Sequence, residues 1–204
     1  MTAKLQSAPT RFAKPPATFP LHRVSVEQYH RFIDSGAFVS DNRIELLDGW
    51  LVTKMPQNPE HRVAMRRLSR IIEKAISSEW TVFVQLPITL DSSEPEPDIA
   101  IVRGPEEKYD GRHPYPADVG LIIEVANESL PRDRKEKSRI YAEAKIPEYW
   151  IANVKAGTVE VFAKPTNGKA NRYRLAKTYK KADTSPLILD GKSIAEIPVR
   201  EIFP

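Results

Sequence analysis

Glu124 stands in the middle of Leu-Ile-Ile-Glu-Val-Ala, residues 121–126, a run otherwise apolar enough for a strand covered on both faces. An unpaired carboxylate buried there is costly, so a fold that contains this strand must give the acid partners. Two nearby residues qualify. Asp98 opens the apolar run 99–102. Lys137 shares the spacing i, i+3, i+4, i+7 with Ile140, Tyr141 and Ala144, which turns it to the inward stripe of a helix. Two acids and a lysine that converge on one place can be stabilised together, above all around a metal cation.

The rest of the chain supplies a frame for that meeting. Ser25-Val26-Glu27-Gln28 is a capping box, predicting a short helix over 26–35 that ends at Gly36. Asp48-Gly49 between Arg-Ile-Glu-Leu-Leu and Trp-Leu-Val predicts a β-hairpin. Over 59–80 the pattern is helical, with Ala64, Leu68, Ile72 and Ile76 inward. Arg62, Arg66, Arg70 and Lys74 recur every four residues on another face, either a solvated surface or a face that tracks phosphates. Residues 81–90 read as a strand with an edge or bulge at Pro87. Three prolines and two glycines make 103–119 a loop, a candidate cover for the site. Asp133-Arg134-Lys135-Glu136 reads as a second capping box opening the helix that carries Lys137. Strands are expected at 148–153, 158–163 and about 171–179, then a closing hairpin. The order of elements predicts a mixed sheet with helices packed on it, an α/β or α+β core. The 133–144 helix would serve as a parallel crossover between two strands.

At 204 residues the expectation is an arm over 1–20 and one domain over 21–204, its core about 25–163 and a β appendage over 164–204. No apolar run approaches the roughly 20 residues that span a bilayer, and no secretory signal opens the chain. With no cysteine there is neither a disulfide framework nor a thiolate nucleophile, so a cytoplasmic location is expected. Net charge is +4, and residues 164–192 carry eight Lys/Arg against two acids. Lys4, Arg11 and Lys14 add charge to an arm without acids, which makes nucleic acid a candidate partner.

Strand alternation groups Asp98 with Ala100 and Val102, and Glu124 with Ile122 and Ala126. If the strands are neighbours the carboxylates can meet, each beside a small alanine. Mg²⁺ takes hard oxygen ligands and keeps waters, so Asp98, Glu124 and the backbone carbonyl of Val125 form a candidate set. Lys137 would then position a nucleophile or stabilise a developing anion. The bland alternative is a structural salt bridge between Lys137 and Glu124, with Asp98 a turn residue after proline. Gln85 could touch the site or bond along an edge strand. His61 could meet phosphate or sit at the surface near a helix cap, and Tyr141 could bond near Glu124 or simply fill core. His22, His30 and His113 show no ligand spacing, and serine-hydrolase, P-loop, dinucleotide-binding and zinc motifs are absent.

Pro-Glu-Pro-Asp-Ile-Ala-Ile-Val, Leu-Ile-Ile-Glu-Val-Ala-Asn-Glu-Ser, residues 133–153 and Arg-Ile-Glu-Leu-Leu-Asp-Gly-Trp together resemble the Uma2 (DUF820) family, a branch of the PD-(D/E)XK nucleases with a restriction-endonuclease-like fold. The resemblance covers roughly 25–162. It implies a Mg²⁺-dependent (or Mn²⁺-dependent) phosphodiesterase acting on DNA, commonly as a homodimer. Within it Pro97-Asp98 matches the PD motif, Glu124 the acid of E-x-K, and Glu45 the acid of the first motif. One departure stands out: Ala126 occupies the usual lysine position, and Lys137 on the following helix is the replacement. Two further readings compete with the endonuclease: a DNA-binding module that has lost its chemistry, and a self-associating scaffold.

Overall fold

The computed structural model describes residues 20–38, 43–166 and 172–204; residues 1–19 of the expected N-terminal arm lie outside them. At its centre is a six-stranded sheet in the order β3-β4-β5-β6-β7-β8. The strands are β3 (Trp80–Val84), β4 (Ile99–Arg103), β5 (Val119–Ala126), β6 (Glu148–Asn153), β7 (Thr158–Pro165) and β8 (Tyr173–Tyr179). All neighbours are antiparallel except β5 and β6, which run parallel with Leu121 opposite Glu148 and Glu124 opposite Ile151. Every residue of β5 is buried, as its apolar run requires.

Each face of the sheet is covered. Residues 99, 101, 121, 123 and 125 pack with Ala64, Leu68 and Ile72 of α2 (Pro59–Ala75). Ala100, Val102, Ile122 and Ala126 face the other way, onto Ile140, Tyr141 and Ala142 of α4 (Ser138–Glu143). The period-2 alternation of the strands thus puts Asp98 and Glu124 on the α4 side. A closing hairpin, β9 (Thr184–Leu189) with β10 (Lys192–Pro198), adds Leu187, Leu189 and Ile197 to the α2-side core.

Local chemistry explains the flanking elements. Ser25 and Gln28 exchange the two hydrogen bonds of a capping box at the start of α1 (Val26–Asp34). β1 (Ile44–Leu47) and β2 (Trp50–Thr53) join through Asp48 and Gly49, both at positive φ, as a type I′ turn demands. Asn58 caps α2 by accepting the backbone N–H of His61, and Pro59 occupies the first turn. No helix among the described residues is long and apolar enough to cross a membrane.

Two expected elements differ. The strand over 81–90 is shorter, because Gln85 takes φ +54 and ends β3 at Val84. Asp133 caps nothing. The helix starts earlier, at α3 (Leu130–Arg132), and passes through a π turn (Asp133–Lys137) before α4. Pro131 in the first turn of α3 is a start signal in its own right, and Asp133 has helical φ and ψ with no capping hydrogen bond.

Candidate active site

The sheet and the π turn bring Asp98, Glu124, Lys137 and Glu45 around one cavity of about 260 Å³. Its walls come from the start of β1, the exit of β2, the start of α2, the entry to β4, the exit of β5 and the π turn. The 104–118 connection does not line it, so the expected covering loop lies elsewhere.

β4 and β5 place the first acid. Their register pairs Ile99 with Ile123, and one rung further sets Asp98 against Glu124. Asp98 Oδ2 accepts the backbone N–H of Val125 at 2.9 Å and lies 3.0 Å from His61 Nε2. Gln57 and Gln85 reach Oδ1 at 3.3 and 3.4 Å. Burial alone would raise the Asp98 pKa, but the His61 hydrogen bond and charge, the Val125 N–H and Lys137 together hold it below the usual carboxylate range. Asp98 is therefore more than a turn residue after proline.

The proline has its own consequence. Two rungs beyond Ile99–Ile123 stands Pro97, opposite Val125. Proline has no N–H, so it cannot donate to the Val125 carbonyl. The neighbouring Ala126 carbonyl points to the β6 side, where it accepts from Val154. By strand alternation the Val125 carbonyl points the opposite way, beside Asp98.

Glu124, Lys137 and Tyr141 form the floor. Lys137 is only 3% exposed, and its Nζ lies 2.8 Å from Glu124 Oε1 and 3.4 Å from Glu45 Oε2. The Tyr141 hydroxyl donates to the same Glu124 oxygen at 2.8 Å. The Lys137–Glu124 pair of the structural reading is thus present, but it sits among further acids. Burial raises the Glu124 pKa, Lys137 pulls it down, and Asp98, Asp133 and Glu45 push it up again, leaving it at about 7. Burial would lower the Lys137 pKa, yet the surrounding carboxylates raise it, so the amine is firmly protonated.

Glu45 is fully buried, and neither of its side-chain oxygens has a hydrogen-bond partner. Asp133 is buried as well, with its Oδ2 unpartnered and its pKa raised mainly by burial. Four buried carboxylates thus share the positive charge of Lys137 and the ring of His61; among the described residues no other side chain forms a salt bridge with them. Arg43 and Arg132 also line the cavity. Hard oxygen donors, three of them buried without a hydrogen-bond partner, are the donor set that suits a divalent cation such as Mg²⁺.

Asp133 and His61 are functional candidates that sequence reasoning undervalued. Asp133 stands four residues before Lys137, a spacing that marks a shared helix face, but its resemblance to a cap concealed this. His61 is buried against Asp98 rather than lying at the surface, because α2 begins directly over the cavity. Arg62, Arg66, Arg70 and Lys74 form an exposed row on α2 starting next to His61, and none forms an ion pair among the described residues.

A family profile described as "Uma2: Putative restriction endonuclease" matches residues 26–195. A crystal structure of "a putative nuclease belonging to DUF820" from Anabaena variabilis superposes with a TM-score of 0.70 over 88% of this chain and 97% of that one. The two sequences are 12% identical, so the likeness is one of fold. No curated protein matches the sequence.

Proposed function

The chain belongs to the Uma2 family, and from that premise we propose that it is a divalent-metal-dependent endonuclease hydrolysing DNA phosphodiester bonds. One observation carries the reading: four buried carboxylates converge on one cavity with Lys137 the one buried Lys or Arg paired to them among the described residues, and neither Glu45 oxygen has a hydrogen-bond partner. Asp98, Glu124 and the Val125 carbonyl would hold the ion, with Glu45 and Asp133 as auxiliary acids. Once bound, such an ion lowers the pKa of a water and neutralises charge building on the phosphate.

The chain's own groups have distinct tasks. His61 and the Val125 N–H lock the Asp98 carboxylate in one rotamer and keep it ionised, so it is ready to act as a ligand. Lys137 keeps its proton and holds Glu124 through Oε1, leaving Oε2 toward the cavity, while Tyr141 braces the same oxygen. A protonated amine at this depth also stabilises charge developing on an attacking oxygen or on the phosphoryl group. Arg43 and Arg132 at the cavity attract a phosphate, and the α2 arginine row offers a track for the flanking backbone.

Supercoiled plasmid incubated with Mg²⁺ or Mn²⁺ tests the proposal. The protein should nick it, chelator should stop the reaction, and Asp98→Asn should abolish nicking while leaving the circular dichroism spectrum unchanged. Nicking is the suitable readout because a single site cuts one strand. Metal-dependent activity that persists in purified Asp98→Asn would refute the proposal. Salt-sensitive DNA binding without any cleavage, indifferent to Asp98→Asn, would instead favour the non-catalytic binding module.

A further inference from the structure

Three side chains with no common sequence spacing meet outside the acid cavity. His30 on α1, Glu94 just before β4 and His113 in the 104–118 connection each present one ligand atom, and these atoms lie within 4.8 Å of one another. Glu94 is the fixed member. It is 2% exposed, its Oε2 accepts from Thr89 Oγ1 at 2.7 Å, and its backbone bridges Leu46 of β1. His30 Nε2 lies 2.7 Å from Oε2, whereas His113 Nε2 stands 4.0 Å from Oε1.

The second distance is informative. At 4.0 Å no hydrogen bond joins His113 to Glu94, although the ring nitrogen faces the carboxylate across the gap. Bond lengths of ~2.0–2.2 Å to a four-coordinate zinc ion set its ligand atoms roughly 3.3 Å apart. The observed 2.7 and 4.0 Å fall on either side of that spacing. Both histidine side chains are about half exposed, so their rings can adjust while Glu94 stays put. A cleft of about 520 Å³ lined by His30, Thr89, Tyr109 and His113 runs alongside, with room for water to complete the coordination.

We propose that His30, Glu94 and His113 form a second cation site, one for a divalent transition metal of the zinc type. Two imidazoles and one carboxylate favour such an ion over Mg²⁺, whereas the all-oxygen acid cavity has the opposite preference. None of the three ligands lines the acid cavity. The ion fastens α1 and the 104–118 connection to the backbone beside β1, the strand that carries Glu45. Its role is a brace, independent of whether the acid cavity cleaves DNA.

The test uses the full chain without a histidine tag, stripped by chelator, in an Asp98→Asn background that disables the acid cavity. Calorimetric titration with Zn²⁺ should show one equivalent bound, and Co²⁺ in its place should give the intense visible absorption of a four-coordinate nitrogen–oxygen site. His113→Ala and His30→Gln should each weaken Zn²⁺ binding roughly tenfold or more, since loss of even an outer-shell partner costs ~10–100-fold. Zn²⁺ should raise the melting temperature of the parent by more than that of either variant, each compared with its own stripped state. Glu124→Gln should leave Zn²⁺ binding intact. No bound equivalent, parent-like affinity in either histidine variant, or loss of binding in Glu124→Gln would each overturn the proposal. The Co²⁺ spectrum needs no further variant: a weak, six-coordinate, oxygen-type spectrum overturns it too.

Discussion

Replacing Lys137 by methionine removes the amine that Glu124 and Glu45 share while filling nearly the same volume. At 2.8 and 3.4 Å the two ion pairs are worth gross attractions of about 6 and about 5 kcal/mol at an effective dielectric near 20. Several kcal/mol of that is offset by taking the amine out of water. Removing one partner then exposes the uncompensated acids, and the expected net loss is about 3–5 kcal/mol. The shifts set the sign with pH. The folded Lys137 pKa is raised, so its contribution is fully present at neutral pH and fades only as pH climbs through that raised value. Glu124 already sits at about 7 with the amine in place, and higher without it. The folded variant therefore retains a proton that the folded parent releases near 7, and its deficit grows as pH rises past that value. Urea unfolding with chelator present, at about pH 8 and about pH 5, measures this. The deficit should be larger at the higher pH, by about 1 kcal/mol. Adding Glu124→Gln should restore part of the stability. A deficit below about 1 kcal/mol at the higher pH, or one equal at both, would refute the account of an under-neutralised acid cluster.

Two further outcomes concern DNA tracking and packing. If the α2 row tracks phosphates, Ala at Arg62, Arg66 and Arg70 should weaken DNA binding without regard to sequence and flatten the salt dependence by about 0.9 per arginine; an unchanged slope in filter-binding or anisotropy titrations would assign the row to solvent. Gly120 lies under Trp80, where an added Cβ would come within 2.6 Å of Cζ3, so Gly120→Ala should destabilise by about 1–3 kcal/mol in thermal melts with little change in DNA affinity.

The parts of the site legible from sequence were those governed by short-range rules. Alternation of side chains along β4 and β5 put Asp98 and Glu124 on one face, and helical spacing turned Lys137 inward. The Asp48-Gly49 turn and the Ser25 capping box fixed their elements by local backbone chemistry. What escaped depended on long-range contact or on a break in regularity. Asp133 satisfies every local criterion for a cap, and only the preceding turn begun at Leu130 assigns it to the interior. His61 is buried because α2 happens to start above Asp98, which no window around residue 61 reveals. Gln85 ends its strand through a positive φ that its own residue type does not announce. His30 and His113 lie far apart in the chain and come together beside Glu94, edge to face.

The π turn at Asp133–Lys137 sets regularity against chemistry. Its signature is the Ser138 N–H reaching back to the Asp133 carbonyl, one residue further than an α-helix allows. Deleting a residue from this segment would let the backbone relax into an unbroken α-helix, intrinsically the better-bonded form, and would swing the downstream side chains by roughly a quarter-turn or more. Either the amine or the Tyr141 hydroxyl would then leave Glu124. A screen for hyperstable single-residue deletions in this segment should therefore recover sturdier proteins that have lost their acid cluster, the mark of a helix kept imperfect by what it must present.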